Sequence, residues 1–185
     1  MTAHVLAVPG SLRRDSFTTA LLQRYLTVLG RAVPDHDITV TWSQHIAALP
    51  AYNADLDTAT PPQAVVDARL AIAGVDAVVI ATPQYNGSVP GGLKNWIDWT
   101  TRPFRNHPFL GRPTAVIGGS PSPGGAKTAL DWLQMTLGAL GAITTPEPLS
   151  VALLDQALAS PDALDADLVR HVDGLVTLLQ PVLTP

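Results

Sequence analysis

Residues 75–82 read VDAVVIAT and set Val78, Val79 and Ile80 in unbroken succession. A strand with one wet face alternates apolar and polar residues. A strand that is apolar at every position is covered on both faces, as in the middle of a parallel sheet. Parallel neighbours must be joined by crossovers, usually helices. This one stretch therefore demands helices on both sides of a sheet and a β-α-β chain order.

The rest of the chain supplies that order. His4–Val8 is a second short apolar run. Phe17, Leu21, Tyr25, Leu29 and Val33 recur at helical spacing until Pro34. Residues 37–42 alternate, with Ile38, Val40 and Trp42 on one face, as expected of an edge strand. Residues 43–57 are mixed and read as loop with a turn of helix. Thr60 is placed to cap a helix in which Pro61 takes the first position and Gln63 closes a capping box, ending near Gly74. Helices are also expected from Gly92 to about Thr101, through Leu130, Leu133, Leu137 and Leu140 to Gly141, and after Ser160-Pro161-Asp162. The last carries Leu164, Leu168, Val172, Leu175 and Leu179. Strands are expected at Thr114–Gly118 and, weakly, around Ile143. Five strands alternate with five helices, so the expectation is a single α/β domain over residues 1–185 with a parallel sheet.

Bulk properties remove several function classes. Charged residues make up 14 % of the 185 residues and hydrophobic residues 46 %, with a formal charge of −4. With no basic block, nucleic acid is not expected as a partner. There is no cysteine, which excludes thiolate catalysis and Cys-based zinc sites. The five histidines, at 4, 36, 45, 107 and 171, have no ligand spacing, so no metal is expected. Asp155, Asp162, Asp165 and Asp167 read as helix-start and surface charges. No run has the length of a bilayer span and no leader pattern opens the chain, so a cytoplasmic protein is expected.

Two loops carry more chemistry than connectors need. The first, Pro9–Leu22, reads PGSLRRDSFTTALL. It leaves the first strand where ligands bind in open α/β sheets. It enters a helix whose N-terminus offers N–H groups and partial positive charge. Ser11, Ser16 and Thr18 add hydroxyls, and Arg13 adds a fork of donors suited to phosphate. Taken singly, Ser16 is also a plain N-cap and Gly10 a plain turn residue. The GxGxxG fingerprint is absent, and the only P-loop candidate, ending in Lys127-Thr128, has Pro121 and Ala126 where glycines belong. The second loop, Pro83–Trp99, reads PQYNGSVPGGLKNWIDW. Tyr85, Asn86, Gly87 and Ser88 gather an aromatic ring, an amide, a permissive backbone and a hydroxyl, which suit a planar heterocycle.

Together, GSLRRDS and PQYNGSVPGGLKNWIDW resemble the NAD(P)H-dependent FMN reductase family, which includes quinone, azo-dye and chromate reductases. The likeness spans about His4 to Ile143. It implies a flavodoxin-like three-layer sandwich with a five-stranded parallel sheet in the order 2-1-3-4-5. It implies FMN as cofactor and NADPH or NADH as donor, with Ser11, Arg13, Ser16, Phe17 and Thr18 at the phosphate. Pro83, Gln84, Tyr85, Asn86, Gly87 and Ser88 would lie along the ring, with Ser120 in a third closing loop. It also implies a homodimer or homotetramer, and a ping-pong transfer of hydride to a small acceptor such as a flavin or quinone. The flavin carries that chemistry, so no catalytic side chain is assigned. The other function compatible with the same loops is an electron carrier or flavin-binding sensor.

Three positions depart from the family pattern. Thr18 stands where Asn is frequent, Gln84 where Glu is frequent, and Pro121-Ser122-Pro123 stiffens the third loop. Two features stay open in the sequence. Trp96 and Trp99 serve either a core or a self-association surface, and Arg102 and Arg105 meet either a 2′-phosphate of NADPH or solvent.

Overall fold

The computed structural model describes residues 1–184. Strands β1 (Thr2–Pro9), β2 (Asp37–Trp42), β3 (Ala77–Thr82), β4 (Pro113–Gly119), β5 (Ile143–Thr144) and β6 (Leu149–Val151) form one sheet. Helices α1 (Phe17–Ala32), α2 (Gln63–Ala73), α3 (Gly91–Thr100), α4 (Lys127–Ala139), α5 (Leu154–Ala159) and α6 (Pro161–Leu183) connect and cover it. The order is β2-β1-β3-β4-β5, every pairing is parallel, and β6 also pairs with β4. This is the flavodoxin-like α/β arrangement.

The sheet separates two apolar layers. Leu6, Val8, Val78, Ile80 and Val116 face α2, α3 and α4. Val5, Ala7, Val79, Ala115 and Ile117 face α1 and α6. All six residues of β3 are buried, while β2 alternates along its length as an edge strand should. The α6 stripe of Leu164, Leu168, Val172, Leu175 and Leu179 is buried throughout. In α1 the stripe is buried from Leu21 onward, and Phe17 at its start stays 37 % exposed.

Three expectations change. The fifth strand is two pieces, β5 and β6, both on β4. Pro146 and Pro148 between them lack the N–H groups a continuous ladder would use. The capping box at Thr60 does not form: α2 begins at Gln63 behind Pro62, with no side-chain cap. Pro62 pushes the residue before it, Pro61, out of helical geometry, so the helix starts after the second proline. Gln63 Nε2 instead reaches forward to Asp67 Oδ1 at 2.7 Å. Finally, α5 was not foreseen; it follows Leu153, whose φ of 45° turns the chain sharply out of β6.

His171 fastens the broken strand to the helical layer. Its Nε2 lies 2.9 Å from the Glu147 carbonyl oxygen, which can only accept, so Nε2 carries the proton. Nδ1 is then bare and takes the Tyr25 hydroxyl at 3.1 Å. Burial lowers the His171 pKa from 6.5 to about 4, with the Glu147 carbonyl opposing it. Between those values the unfolded chain binds the proton that the folded chain refuses, so stability rises with pH there. Unfolding by denaturant should thus show about 2 kcal/mol less stability at about pH 5 than at neutral pH from this residue. His171→Phe should flatten that slope; an unchanged slope would refute the assignment.

Candidate functional site

Strands β1, β3 and β4 end side by side, and the loops that follow them converge. The first loop is held against β3 by a hydrogen bond from Gly10 N to Ala81 O at 2.7 Å. A Cβ on Gly10 would stand 2.8 Å from that same oxygen, so only glycine allows the approach. The loop then turns into α1, with Ser16 as N-cap: its Oγ accepts from Thr19 N at 3.3 Å. Ser16 Oγ also lies 3.0 Å from Thr18 Oγ1, and Ser11 Oγ accepts from Arg13 N at 3.3 Å. All three hydroxyl residues are buried. Arg13 donates from Nε to the Asp15 carbonyl at 3.0 Å, with a second donor on the same oxygen, and its guanidinium lies 4.9 Å over the Phe17 ring.

In the second loop, Asn86 and Gly87 take φ of 50° and 77°. Tyr85 and Ser88 exchange backbone hydrogen bonds across them at 2.8 and 2.9 Å. This is the pattern of a tight hairpin turn of the primed kind, which needs positive φ at both central residues and favours Asn-Gly. It pushes residues 85–88 into solvent, and Tyr85 is 50 % exposed.

A cavity of about 100 Å³ joins these loops. Ser11, Arg13, Ser16, Phe17 and Thr18 line it from the first loop, Pro83 and Tyr85 from the second, and Gly119 and Pro121 from the third. Seven of the twelve expected site residues therefore meet there. Asn86, Gly87 and Ser88 stand outside on the exposed hairpin. Gln84 turns its side-chain oxygen to Ala129 N at 3.1 Å. Ser120 Oγ accepts from Ser122 N at 3.1 Å, within its own loop, and its neighbours Gly119 and Pro121 take its place at the wall.

For the two tryptophans the open alternative closes. Trp96 and Trp99 are fully buried, so they belong to the core and offer no association surface. Trp96 packs edge-on to Phe109 at 5.7 Å, and Trp99 Nε1 donates to Pro50 O at 2.8 Å. Arg102 donates to the Tyr52 hydroxyl at 3.1 Å, and the Arg105 guanidinium lies over Phe104. Larger cavities lie elsewhere, one of about 320 Å³ beside His171. Its polar groups Asp167 and Arg170 pair with each other, whereas the smaller cavity combines hydroxyls, a helix N-terminus and Arg13. Among the described residues no cluster of metal-ligating side chains occurs, and no helix is long and apolar enough to cross a membrane.

The model of a family described as NADPH-dependent FMN reductase matches residues 3–154. The chain belongs to that family. It is 39 % identical over 133 residues to an NAD(P)H-dependent FMN reductase of Pseudomonas aeruginosa, covering 72 % of this chain and 68 % of the relative. It is 32 % identical over 177 residues to a quinone reductase of Escherichia coli, covering 94 % and 91 %. Against other relatives of 38–39 % identity, quinone reductases among them, the aligned part is 60–62 % of their length. Among solved structures it resembles FerB, a flavoenzyme NAD(P)H:(acceptor) oxidoreductase from Paracoccus denitrificans. There the TM-score is 0.69 at 32 % identity, over 95 % of this chain and 98 % of that one. These relatives are oxidoreductases.

The close approach of the first loop to β3 can be tested directly. Gly10→Ala should cost about 1–3 kcal/mol by overpacking. Gly30→Ala, in the α1 helix with nothing within 4 Å of its added Cβ, should be neutral or gain up to about 1 kcal/mol. Thermal unfolding of both variants is the measurement, and equal stability would remove the steric argument.

Proposed function

We propose that this protein is an FMN-dependent oxidoreductase that passes hydride from NAD(P)H to a small acceptor, a flavin, a quinone or a similar compound. The observation that carries it is the convergence of three buried hydroxyls and Arg13 at the N-terminus of α1, within the stretch that the family model matches. That donor set fits a phosphate: hydroxyls and helix N–H groups donate, and the dipole and guanidinium supply positive charge. Ser11, Arg13, Ser16, Phe17 and Thr18 would hold the phosphate end of FMN. Pro83, Tyr85, Asn86, Gly87 and Ser88 would border its ring, with Gly119, Ser120 and Pro121 on the third side.

Bound FMN supplies the two-electron chemistry of the reaction. The chain's residues bind, orient and shield. Proline at 83, 90, 121 and 123 limits the freedom of the two ring-side loops. Tyr85, half exposed at the mouth, gives an aromatic face to whichever planar reactant enters. Donor and acceptor would use this mouth in turn, a ping-pong order. The donor is NADPH or NADH, and a nicotinamide donor accords with a cytoplasmic location. We assign the activity to residues 1–185 acting as one domain.

The reading includes self-association as a homodimer or homotetramer. The surface that supports it is the groove of about 430 Å³ between α3 and α4, where Ile97, Phe104, Met135, Ala139 and Leu140 gather. Phe104 and Met135 are 63 % and 66 % exposed, high for large apolar side chains. Sedimentation at micromolar concentration should show a dimer or larger, and Met135→Asp should shift it toward monomer. A monomeric wild type would end this part of the reading.

The central test is a visible spectrum after FMN addition and desalting. Wild type should retain flavin that NADPH or NADH bleaches anaerobically. Arg13→Ala should bind FMN at least about tenfold more weakly, the cost of one charged hydrogen bond, with unchanged far-UV circular dichroism. Retained flavin that neither nicotinamide reduces would point to an electron carrier or sensor instead. Equal FMN affinity in Arg13→Ala would refute the phosphate assignment.

A further inference from the structure

Helix α4 begins without a cap of its own. Its N-cap residue is Ala126, and no side chain there accepts a hydrogen bond. The first turn of a helix leaves four N–H groups unpartnered, and a helix end lodged in a fold needs them satisfied. Two side chains from distant parts of the chain do so. Ser150, on β6, accepts from Ala126 N at 3.0 Å. Gln84 accepts from Ala129 N at 3.1 Å through Oε1.

The two caps differ in what they join. Ser150 ties α4 to the neighbouring strand of the sheet. Gln84 lies between Pro83 and Tyr85, the two second-loop residues at the cavity wall. Gly119, which ends β4, and Pro121, in the loop that leads into α4, line another part of the wall. The hydrogen bond from Ala129 to Gln84 therefore ties the second loop to the helix into which the third loop leads. Asn86 and Gly87 hold the tip of the second loop by local geometry, but among the described residues no hydrogen bond joins residues 85–88 to the body of the protein beyond the pairing of Tyr85 with Ser88.

We infer that Gln84 is a positioning residue: it does not contact the cofactor but locks the ring-side hairpin to the N-terminus of α4 and so sets the spacing of two walls of the flavin cleft. The inference rests on the flavin reading above, and it moves Gln84 from the ring contacts to their support. The chemistry required of it is one acceptor oxygen at the helix N-terminus. Glutamate would meet that requirement, with its charge favoured by the dipole. Leucine would not.

The experiment compares Gln84→Leu, Gln84→Glu and Ser150→Ala in the full chain. Both Gln84→Leu and Ser150→Ala remove one cap from the same helix, so each should lower the thermal midpoint. Only Gln84→Leu should free the hairpin. Amide hydrogen exchange without added flavin should quicken at Tyr85, Ser88 and Ala129 in Gln84→Leu by about tenfold, and stay near wild type at Tyr85 and Ser88 in Ser150→Ala. FMN dissociation constants, read from quenching of flavin fluorescence, should rise about tenfold in Gln84→Leu, with Gln84→Glu restoring both readouts. Unchanged exchange at Tyr85 and Ser88 in Gln84→Leu would overturn the lock, whatever the flavin does. Quickened exchange with unaltered FMN affinity would overturn its role toward the cofactor. A wild type that binds no FMN would instead refute the function proposed above and, with it, that role.

Discussion

The burial of β3 governs the whole structure. Every side chain from Ala77 to Thr82 is out of contact with water, so both faces of the strand must be roofed by helices. Its backbone groups are taken by β1 on one side and β4 on the other. A strand so enclosed has only its ends available, and the chain leaves its carboxyl end through Pro83. Thr82, polar and fully buried at that end, satisfies itself by donating to the Pro83 carbonyl at 2.9 Å. Because β1 and β4 flank β3 in parallel, their carboxyl ends open on the same side. Three loops are thereby delivered to one place by the sheet alone, before any of their own residues are considered.

Those loops are then fixed by different means. The first is anchored by backbone, through Gly10 against Ala81, and by the hydroxyl pair at the start of α1. The second is folded on itself by the Asn86-Gly87 turn. The third is braced by its prolines, by Ser120 accepting from Ser122, and by backbone hydrogen bonds of Ser120 and Ser122 with Val151, Leu153 and Leu154. The second loop, folded on itself, can be rigid singly and still drift relative to the other two. A contact from a loop to the scaffold, such as Gln84 with Ala129 of α4, has more influence on a shared cleft than contacts within the loop.

How much was legible follows from the kind of signal each part carries. The β3 run, the alternation in β2 and the stripes of α1 and α6 are periodic signals, and all of them appear where the sequence put them. The strand order came from resemblance, since periodicity does not encode which strand lies beside which. The two-part fifth strand was illegible because Leu149–Val151 is too short for any period to show between Pro148 and the Leu153 turn. The α2 start failed because two stacked rules, a capping Thr and a favourable first-position Pro, were overruled by the second proline. Ser16, Thr18 and Pro83 line the cavity where chain geometry puts them, whereas Gln84 and Ser120 turn their side chains to Ala129 and Ser122, because residue type does not say which donor an acceptor will meet.

The handling of positive charge separates the arginines tied up in ion pairs from those, Arg13 among them, whose charge is unspent. Carboxylates hold Arg24, Arg69, Lys94, Lys127 and Arg170 as ion pairs. Arg112 spends its donors on carbonyls of Val75, Ala73 and Pro108, at the opposite end of the sheet from the cleft. A paired guanidinium must give up its carboxylate before it can serve an incoming anion, and exposed pairs also screen each other's field. Arg13 is bound only by a neutral acceptor, the Asp15 carbonyl, and braced by the face of Phe17. Its orientation is set while its charge stays uncompensated, and it adds to the partial positive charge of the α1 N-terminus. An anion arriving at Ser11, Ser16 and Thr18 meets a cation already in place, with no ion pair to break first. Arg102 is held in the same way, by the Tyr52 hydroxyl and ring, so what sets Arg13 apart is its place in the wall of the cavity at the α1 N-terminus, where on the proposed reading its unspent charge would meet the phosphate.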